Sequence, residues 1–241
     1  MKRSFVYIVT GILLAAFPHY AFSPAPKNVD DITIHETSKF IYSNLKCSGL
    51  SFDAFETAYT GFRNVLAGDS SINDSLLTLI DFSLPSSDER LYVIDLKNYR
   101  ILTKTYVAHG MGSGMLYARE FSNRQGSHMS SLGFYLTEQI YSGSHGISLK
   151  LTGLENGIND NAMNRAIVMH GAHYAEPEYI ERYGRLGRSF GCPALPYSKI
   201  REVISLIARQ SCLFIYSPDK KYLASSEILN SGQQYFSENL P

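Results

Sequence analysis

The sequence predicts a mainly β, α+β domain: a sandwich or barrel of short strands, with helices inserted late and a helical flank at the N-terminus. Two observations carry this. From Leu76 onward, short apolar runs recur between turn residues such as Pro85-Ser86-Ser87 and Lys97-Asn98-Tyr99. Ahead of them, Phe52, Phe55, Tyr59 and Phe62 repeat at helical intervals after a possible N-cap, Ser51. Short strands joined by loops favour a layered β architecture that carries its site in the loops. The 241 residues, 44% of them hydrophobic, suffice for one domain with a substantial core, or one domain plus a small helical appendage.

Taken in order, Glu36 to Leu45 reads as a helix with Phe40, Ile41 and Leu45 along one stripe, and Gly68-Asp69 stops the helix that follows Ser51. These two helices are expected to pack as a flap or buttress. Strands are predicted over Leu76–Phe82, Arg90–Leu96, Ile101–His109, Leu132–Ile140, Ile147–Leu151, Ile167–His170 and Cys212–Tyr216. Helices are predicted at Glu176–Tyr183 and Ser198–Arg209, with a short one capped by Asn159-Asp160 and running through Arg165. The tail after Pro218 is polar and expected to be peripheral.

Lys+Arg and Asp+Glu both number 22, so neither a basic excess for nucleic acid nor an acidic tail is present. The glycine-rich Gly110–Gly114 lacks the lysine and the strand–helix setting of a phosphate loop, which argues against nucleotide binding. At the N-terminus, Lys2-Arg3 precedes an apolar run from Phe5 to Phe17, and Ala21-Phe22-Ser23 offers small residues for cleavage. The run is shorter than the roughly 20 residues of a membrane span. It reads as a cleaved secretory signal ahead of an uncleaved anchor, which places the chain outside the cytoplasm, in the periplasm or cell envelope. The three cysteines, Cys47, Cys192 and Cys212, leave at least one thiol unpaired. Either Cys47 pairs with Cys212, or all three are reduced; the second is preferred.

Chemistry concentrates between Ile167 and Pro196. An apolar run delivers His170 onto Gly171, and a glycine-flanked Cys192 follows in Gly187-Arg188-Ser189-Phe190-Gly191-Cys192-Pro193. A cysteine thiol is a weak nucleophile until a neighbouring imidazole takes its proton. Glycine before it permits close backbone approach, so the amides of Gly191 and Cys192 are candidates for an oxyanion hole. Read alone, such a cysteine is more often a small buried hydrophobe, and a His-Gly pair more often a strand end and a turn. Arg188 is a candidate for a substrate carboxylate, against an ordinary structural ion pair. Ser189 either bonds His170 or closes a turn. His109 and Tyr135 are candidate cleft residues, against loop and packing roles, and Tyr174 is read the same way. His170, His173 and Cys192 are metal-ligand types, but no further residue completes a zinc set, so no metal site is expected. A papain-like order is absent, because the histidine precedes the cysteine.

These residues resemble the signature of the L,D-transpeptidase catalytic-domain family. So do Ile80-Asp81-Phe82-Ser83, Arg90 to Leu96, His109-Gly110, Phe121-Ser122-Asn123, Ser130 to Tyr135 and Asn159-Asp160-Asn161-Ala162. The resemblance runs from about Leu50 to Ser217 and divides the chain into a signal (1–23), a linker and helix (24–50), a catalytic domain (51–217) and a tail (218–241). It implies an exported enzyme without cofactor that acts on peptidoglycan stem peptides. Cys192 would form a thioester, His170 would be the base, and the Gly171 carbonyl would orient it. The product would be a 3→3 cross-link, with L,D-carboxypeptidase or endopeptidase action at the same site as the alternative. Acylation of Cys192 by carbapenem-type β-lactams is also implied. One departure stands out: Phe190 replaces the histidine of the commoner Ser-His-Gly-Cys, which keeps a non-catalytic peptidoglycan-binding protein open as a reading of another class.

Overall fold

The computed structural model describes residues 29–231, so the signal segment at 1–23 and the last ten residues lie outside the described region. Helix α1 (Val29–Leu45) begins inside the stretch read as linker. Its buried stripe is Ser38, Ile41 and Leu45, whereas Phe40 lies on the outer side, 56% exposed and edge-on to Tyr99. Phe40 directly precedes Ile41 and therefore points about 100° away from it, which removes it from the predicted stripe. Helix α2 (Phe52–Gly68) starts where the Ser51 hydroxyl accepts the Ala54 N–H, as an N-cap should. It buries Phe55, Ala58, Tyr59, Phe62 and Val65. Gly61 faces Phe134 so closely that a Cβ would stand 2.0 Å from its ring. That clearance brings the helix axis down onto the sheet, making the helical pair a buttress.

Among the described residues, eight strands form one mixed sheet. They are β1 (Leu76–Asp81), β2 (Leu91–Asp95), β3 (Arg100–Thr105), β4 (Gly133–Gly143), β5 (Gly146–Gly153), β6 (Val168–Gly171), β7 (Ala194–Leu195) and β8 (Cys212–Tyr216). Their order is β3-β2-β1-β8-β4-β5-β6-β7. The last strand sits centrally, parallel to β1 and antiparallel to β4, and its five residues are all buried. Such continuous apolar runs are what a strand covered on both faces requires. β3 stops at Thr105, short of the predicted His109, and the chain then crosses to the far edge. There Ala108 and Ala194 exchange backbone bonds of 2.8 and 3.3 Å. This bridge links the segment after one edge strand to the other edge strand, so the sheet curls toward closure, which limits exposed edge.

Helices α3 (Pro177–Tyr183) and α4 (Tyr197–Ile207) lie where predicted, and α4 buries Ile200, Val203, Ile204 and Ile207. Two expectations fail. Residues 159–166 form a run of turns, not a helix. The Asn159 side chain accepts the Glu155 N–H and donates to the carbonyls of Leu132 and Phe134, so it staples loop to strand rather than capping a helix. The tail is not peripheral either. Helix α5 (Lys220–Ser225) buries Tyr222, whose hydroxyl donates to Glu155 at 3.1 Å, and the Ser226 hydroxyl bonds the same carboxylate. Burial holds the Glu155 carboxyl above its usual range while these donors and the Phe134 N–H pull it back. Among the described residues all three cysteines are free thiols, so Cys47 and Cys212 are not joined. No helix among them is long and apolar enough to cross a membrane.

Candidate active site

Strand β6 fixes the histidine. It pairs antiparallel with β5, His170 opposite Ser148, and parallel with β7, His170 opposite Ala194. Side chains alternate along a strand, so Met169 enters the main core while His170 faces the other side. His170 Nδ1 lies 3.0 Å from the Gly171 carbonyl. A carbonyl only accepts, so Nδ1 carries the proton and Nε2 presents its lone pair, the tautomer a general base needs. Gly171 is glycine for a local reason: a Cβ there would meet the Tyr197 ring at 2.6 Å.

The ring of His170 is covered by another imidazole. His145, at the exposed tip of the β4–β5 hairpin, stacks on it with centroids 4.3 Å apart and planes 22° apart. Burial holds His170 below its ordinary pKa, the Gly171 bond opposes this, and the neighbouring His145 lowers it further. His145→Ala removes both cover and like charge, so the His170 pKa should rise toward its ordinary value. His145→Phe keeps the cover and should move it less. Proton NMR titration of the His170 ring reads the shift, and an unmoved pKa in the alanine variant would deny the stack any electrostatic role.

The parallel register also places the cysteine. β7 begins at Ala194, two residues after Cys192, so the turn carrying the thiol runs beside the start of β6. The Val168 N–H points at the thiol, 3.5 Å from Sγ, and the Ala166 carbonyl lies 3.7 Å away. The thiol is thus on the same strand edge as His170 but displaced toward the start of β6, and its hydrogen bonds go to this backbone rather than to the imidazole. Burial pushes the Cys192 thiol up, while the Val168 N–H, the charge of Arg165 and the cysteine's own N–H pull it down.

The turn before Cys192 is held by Ser189. Its N–H donates to the His109 carbonyl at 3.0 Å, and its carbonyl accepts the Met111 N–H at 2.8 Å. Its hydroxyl donates to the Cys192 carbonyl at 2.7 Å and accepts the Gly191 N–H at 3.0 Å. Ser189 therefore closes the turn and does not reach His170. The same contact corrects the expected oxyanion pair: the Gly191 amide is already engaged, leaving the Cys192 amide. Gly191 has φ +125°, and a Cβ would lie 2.8 Å from the Met129 carbonyl, so this position favours glycine on both counts. Its carbonyl accepts from the Ser130 hydroxyl at 3.1 Å.

Three candidates serve elsewhere. Arg188 Nη1 donates to the carbonyls of Met111 and Gly114, each at 3.2 Å, and so pins the loop beside the turn instead of meeting a carboxylate. His109 is fully buried. Its Nδ1 accepts from Arg90 at 2.8 Å and its Nε2 donates to the Gly114 carbonyl at 3.2 Å. Burial and the Arg90 charge hold its pKa down to about 3, so it is a neutral strut rather than a cleft residue. Tyr135 is 1% exposed and spends its hydroxyl on the Ser131 carbonyl, so it is a core residue. Phe190 is 69% exposed and packs on His128 at 4.4 Å, outside the turn it helps form. His173 packs on Tyr197 instead of joining a ligand set, and no group of three or more His, Cys, Asp or Glu among the described residues could hold a metal ion.

Two site residues escape sequence reasoning: His145, and Arg165, whose charge bears on the thiol. The available signals were a histidine beside glycine at a hairpin tip and an arginine just ahead of the apolar run ending at His170.

Residues 46–216 match the family described as L,D-transpeptidase catalytic domain. No curated relative matches the chain. Among solved structures, an L,D-transpeptidase from Mycobacterium smegmatis is similar with TM-score 0.36 and 11% identity over 59% of each chain. One from Stackebrandtia nassauensis gives 0.37 and 8% over 76% of this chain and 77% of that one. LD transpeptidase LdtMt1 in complex with imipenem gives 0.35 and 13% over 60% of each. The chain spans less than two thirds of the first and third of these structures. The family match covers most of the chain and encloses every residue described around Cys192, so the chain belongs to the family of L,D-transpeptidase catalytic domains.

Proposed function

We propose that this chain is an exported L,D-transpeptidase that cross-links peptidoglycan stem peptides through a thioester on Cys192. The supporting observation is the His170 tautomer: Nδ1 is tied to the Gly171 carbonyl, so the Nε2 lone pair is available on β6, the strand whose Val168 amide meets the Cys192 thiol. In the reaction His170 Nε2 takes the thiol proton as sulphur attacks the carbonyl of the third, L-configured residue of a tetrapeptide stem. The C–N bond to the terminal D-amino acid breaks, and His170 returns the proton to the leaving amine. An amine from a second stem then attacks the thioester, forms the 3→3 amide and frees the thiol. Water in place of the amine gives a tripeptide, the L,D-carboxypeptidase outcome. No step needs a cofactor. A carbapenem-type β-lactam would acylate the same sulphur through its ring carbonyl.

In the resting arrangement the thiol bonds to the Val168 amide and not to His170. Catalytic hydrogen bonds often tighten only when substrate is bound, and a reorientation of the cysteine side chain from the Val168 amide toward Nε2 is what this reading requires. The same observation favours, as the second reading, a non-catalytic protein that binds peptidoglycan.

Incubating the protein with disaccharide-tetrapeptide muropeptides and resolving the products by mass spectrometry tests the proposal. A 3→3 dimer is expected. Tripeptide alone would replace transpeptidation with hydrolysis, and binding without product would leave the non-catalytic reading.

A further inference from the structure

We propose that Arg165 is a positioning residue for the nucleophile: its guanidinium is the standing positive charge that favours the Cys192 thiolate, acting through space rather than by contact. The inference rests on Cys192 being the nucleophile of the function proposed above.

Arg165 is the penultimate residue of the run of turns that precedes β6. The next residue, Ala166, adopts a left-handed φ of +54° and aims its carbonyl at the thiol. The guanidinium is gripped on both arms. Nη1 donates to the Ser122 carbonyl at 2.7 Å and to the Ser131 hydroxyl at 2.6 Å, and Nη2 to the Met129 carbonyl and, at 3.4 Å, to the Ser127 hydroxyl. All four acceptors are neutral, and no carboxylate lies within ion-pair distance of it among the described residues. Its edge abuts the residue before the nucleophile, since a Cβ on Gly191 would stand 3.1 Å from Nη2.

A partly buried cation without a counter-ion is costly, and neutral acceptors reduce that cost without cancelling the charge. An anion formed beside it gains most where water is sparse. The groups bearing on Cys192 make Arg165 the natural source of that gain. On β6, His170 is held toward its neutral form, with His145 stacked above it from the hairpin. From the segment after β6, Tyr174 bears on the thiol as a neutral phenol, its ionisation opposed by burial. From the turn itself, Arg188 is spent on the Met111 and Gly114 carbonyls. Tyr135 faces Arg165 from β4 and stays protonated by burial. Among these groups, only Arg165 carries a standing charge that bears on the sulphur.

The test is the pH dependence of Cys192 alkylation by iodoacetamide in the full chain, read by mass spectrometry of the Cys192 peptide. Cys47 and Cys212 fall in other peptides and serve as internal controls. Arg165→Gln should move the midpoint to higher pH and slow labelling at pH 7 roughly tenfold, the equivalent of one pKa unit. Arg165→Lys keeps the charge but loses the forked grip. It should lower thermal stability while leaving the midpoint near that of the wild type. An unchanged midpoint in folded Arg165→Gln would overturn the inference. Should the glutamine variant not fold, a midpoint displaced upward in Arg165→Lys would overturn it, because the charge is retained there. The labelling needs no stem peptide, so a protein inert on muropeptides could still show the Arg165 effect, and an active one could lack it.

Discussion

Cys192→Ala is expected to abolish both the 3→3 dimer and the tripeptide, lowering turnover on the order of 10⁴-fold or more, as removal of a covalent nucleophile does. The size follows from the absence of a substitute. Cys47 is on the far helical flank after α1 and Cys212 is fully buried in β8, where burial pushes its thiol far up. His170 itself is recessed under His145 and donates through Nδ1 to a carbonyl, so it is placed to move a proton and not to attack. The variant should fold normally. Cys192 is only partly buried, and alanine forfeits the weak contacts of sulphur with Val168 N–H and the Ala166 carbonyl. Muropeptide products measured beside a thermal melt separate the two effects. Product surviving in a folded Cys192→Ala protein would defeat the thioester.

Arg90→Met should be the most damaging change to stability away from the site. Arg90 is 0% exposed and makes four donor bonds: two to the Val107 carbonyl at 3.1 and 2.9 Å, one to Leu84 at 2.8 Å and one to His109. Its guanidinium also lies 4.7 Å over the Phe82 ring. Methionine fills part of the space but orphans these acceptors and removes the countercharge from buried Asp81, whose Oδ2 has no hydrogen-bond partner. Breaking a buried charged network from one side costs about 3–5 kcal/mol. For a domain of this size that is a fall in Tm of roughly 10 °C. Urea or thermal unfolding measures it, and a loss below about 1 kcal/mol would mean that packing, not the network, holds this region. On the proposed function, activity should fall as well, because Arg90 orients His109, His109 holds Gly114, and Gly114 shares its carbonyl with Arg188 beside the turn that carries Cys192.

Local pattern made much of the site legible. An apolar run ending in His170-Gly171 can do little but form a strand that delivers its last side chains to a sheet edge. The glycines around Cys192 announce a tight turn, since φ +125° at Gly191 is a conformation that other residues rarely adopt. Ser51 and the spacing of Phe55, Tyr59 and Phe62 likewise declare α2 and its buried face. These features depend on neighbours within about two turns of chain, so the order of residues contains them.

Other features are contacts between distant segments, and only the assembled sheet creates them. Asn159 looked like a helix cap because its hydrogen-bonding groups suit one, yet strand β4, about 25 residues away, claims them. His109, at a predicted strand end before glycine, and Tyr135, an aromatic that could flank a peptide, were candidate cleft residues, yet Arg90 and Ser131 satisfy them in the interior. His145 reaches His170 only because β5 carries the hairpin tip back beside β6. By itself, then, the sequence determined the family, the strand that bears His170 and the turn that bears Cys192. Tertiary structure alone decided that β6 pairs in parallel with β7 and that the Cys192 thiol meets the Val168 amide, not the His170 ring. It also brought Arg165 against Gly191, the residue before Cys192. Register and long-range packing are properties of two segments at once, and neither segment contains them separately.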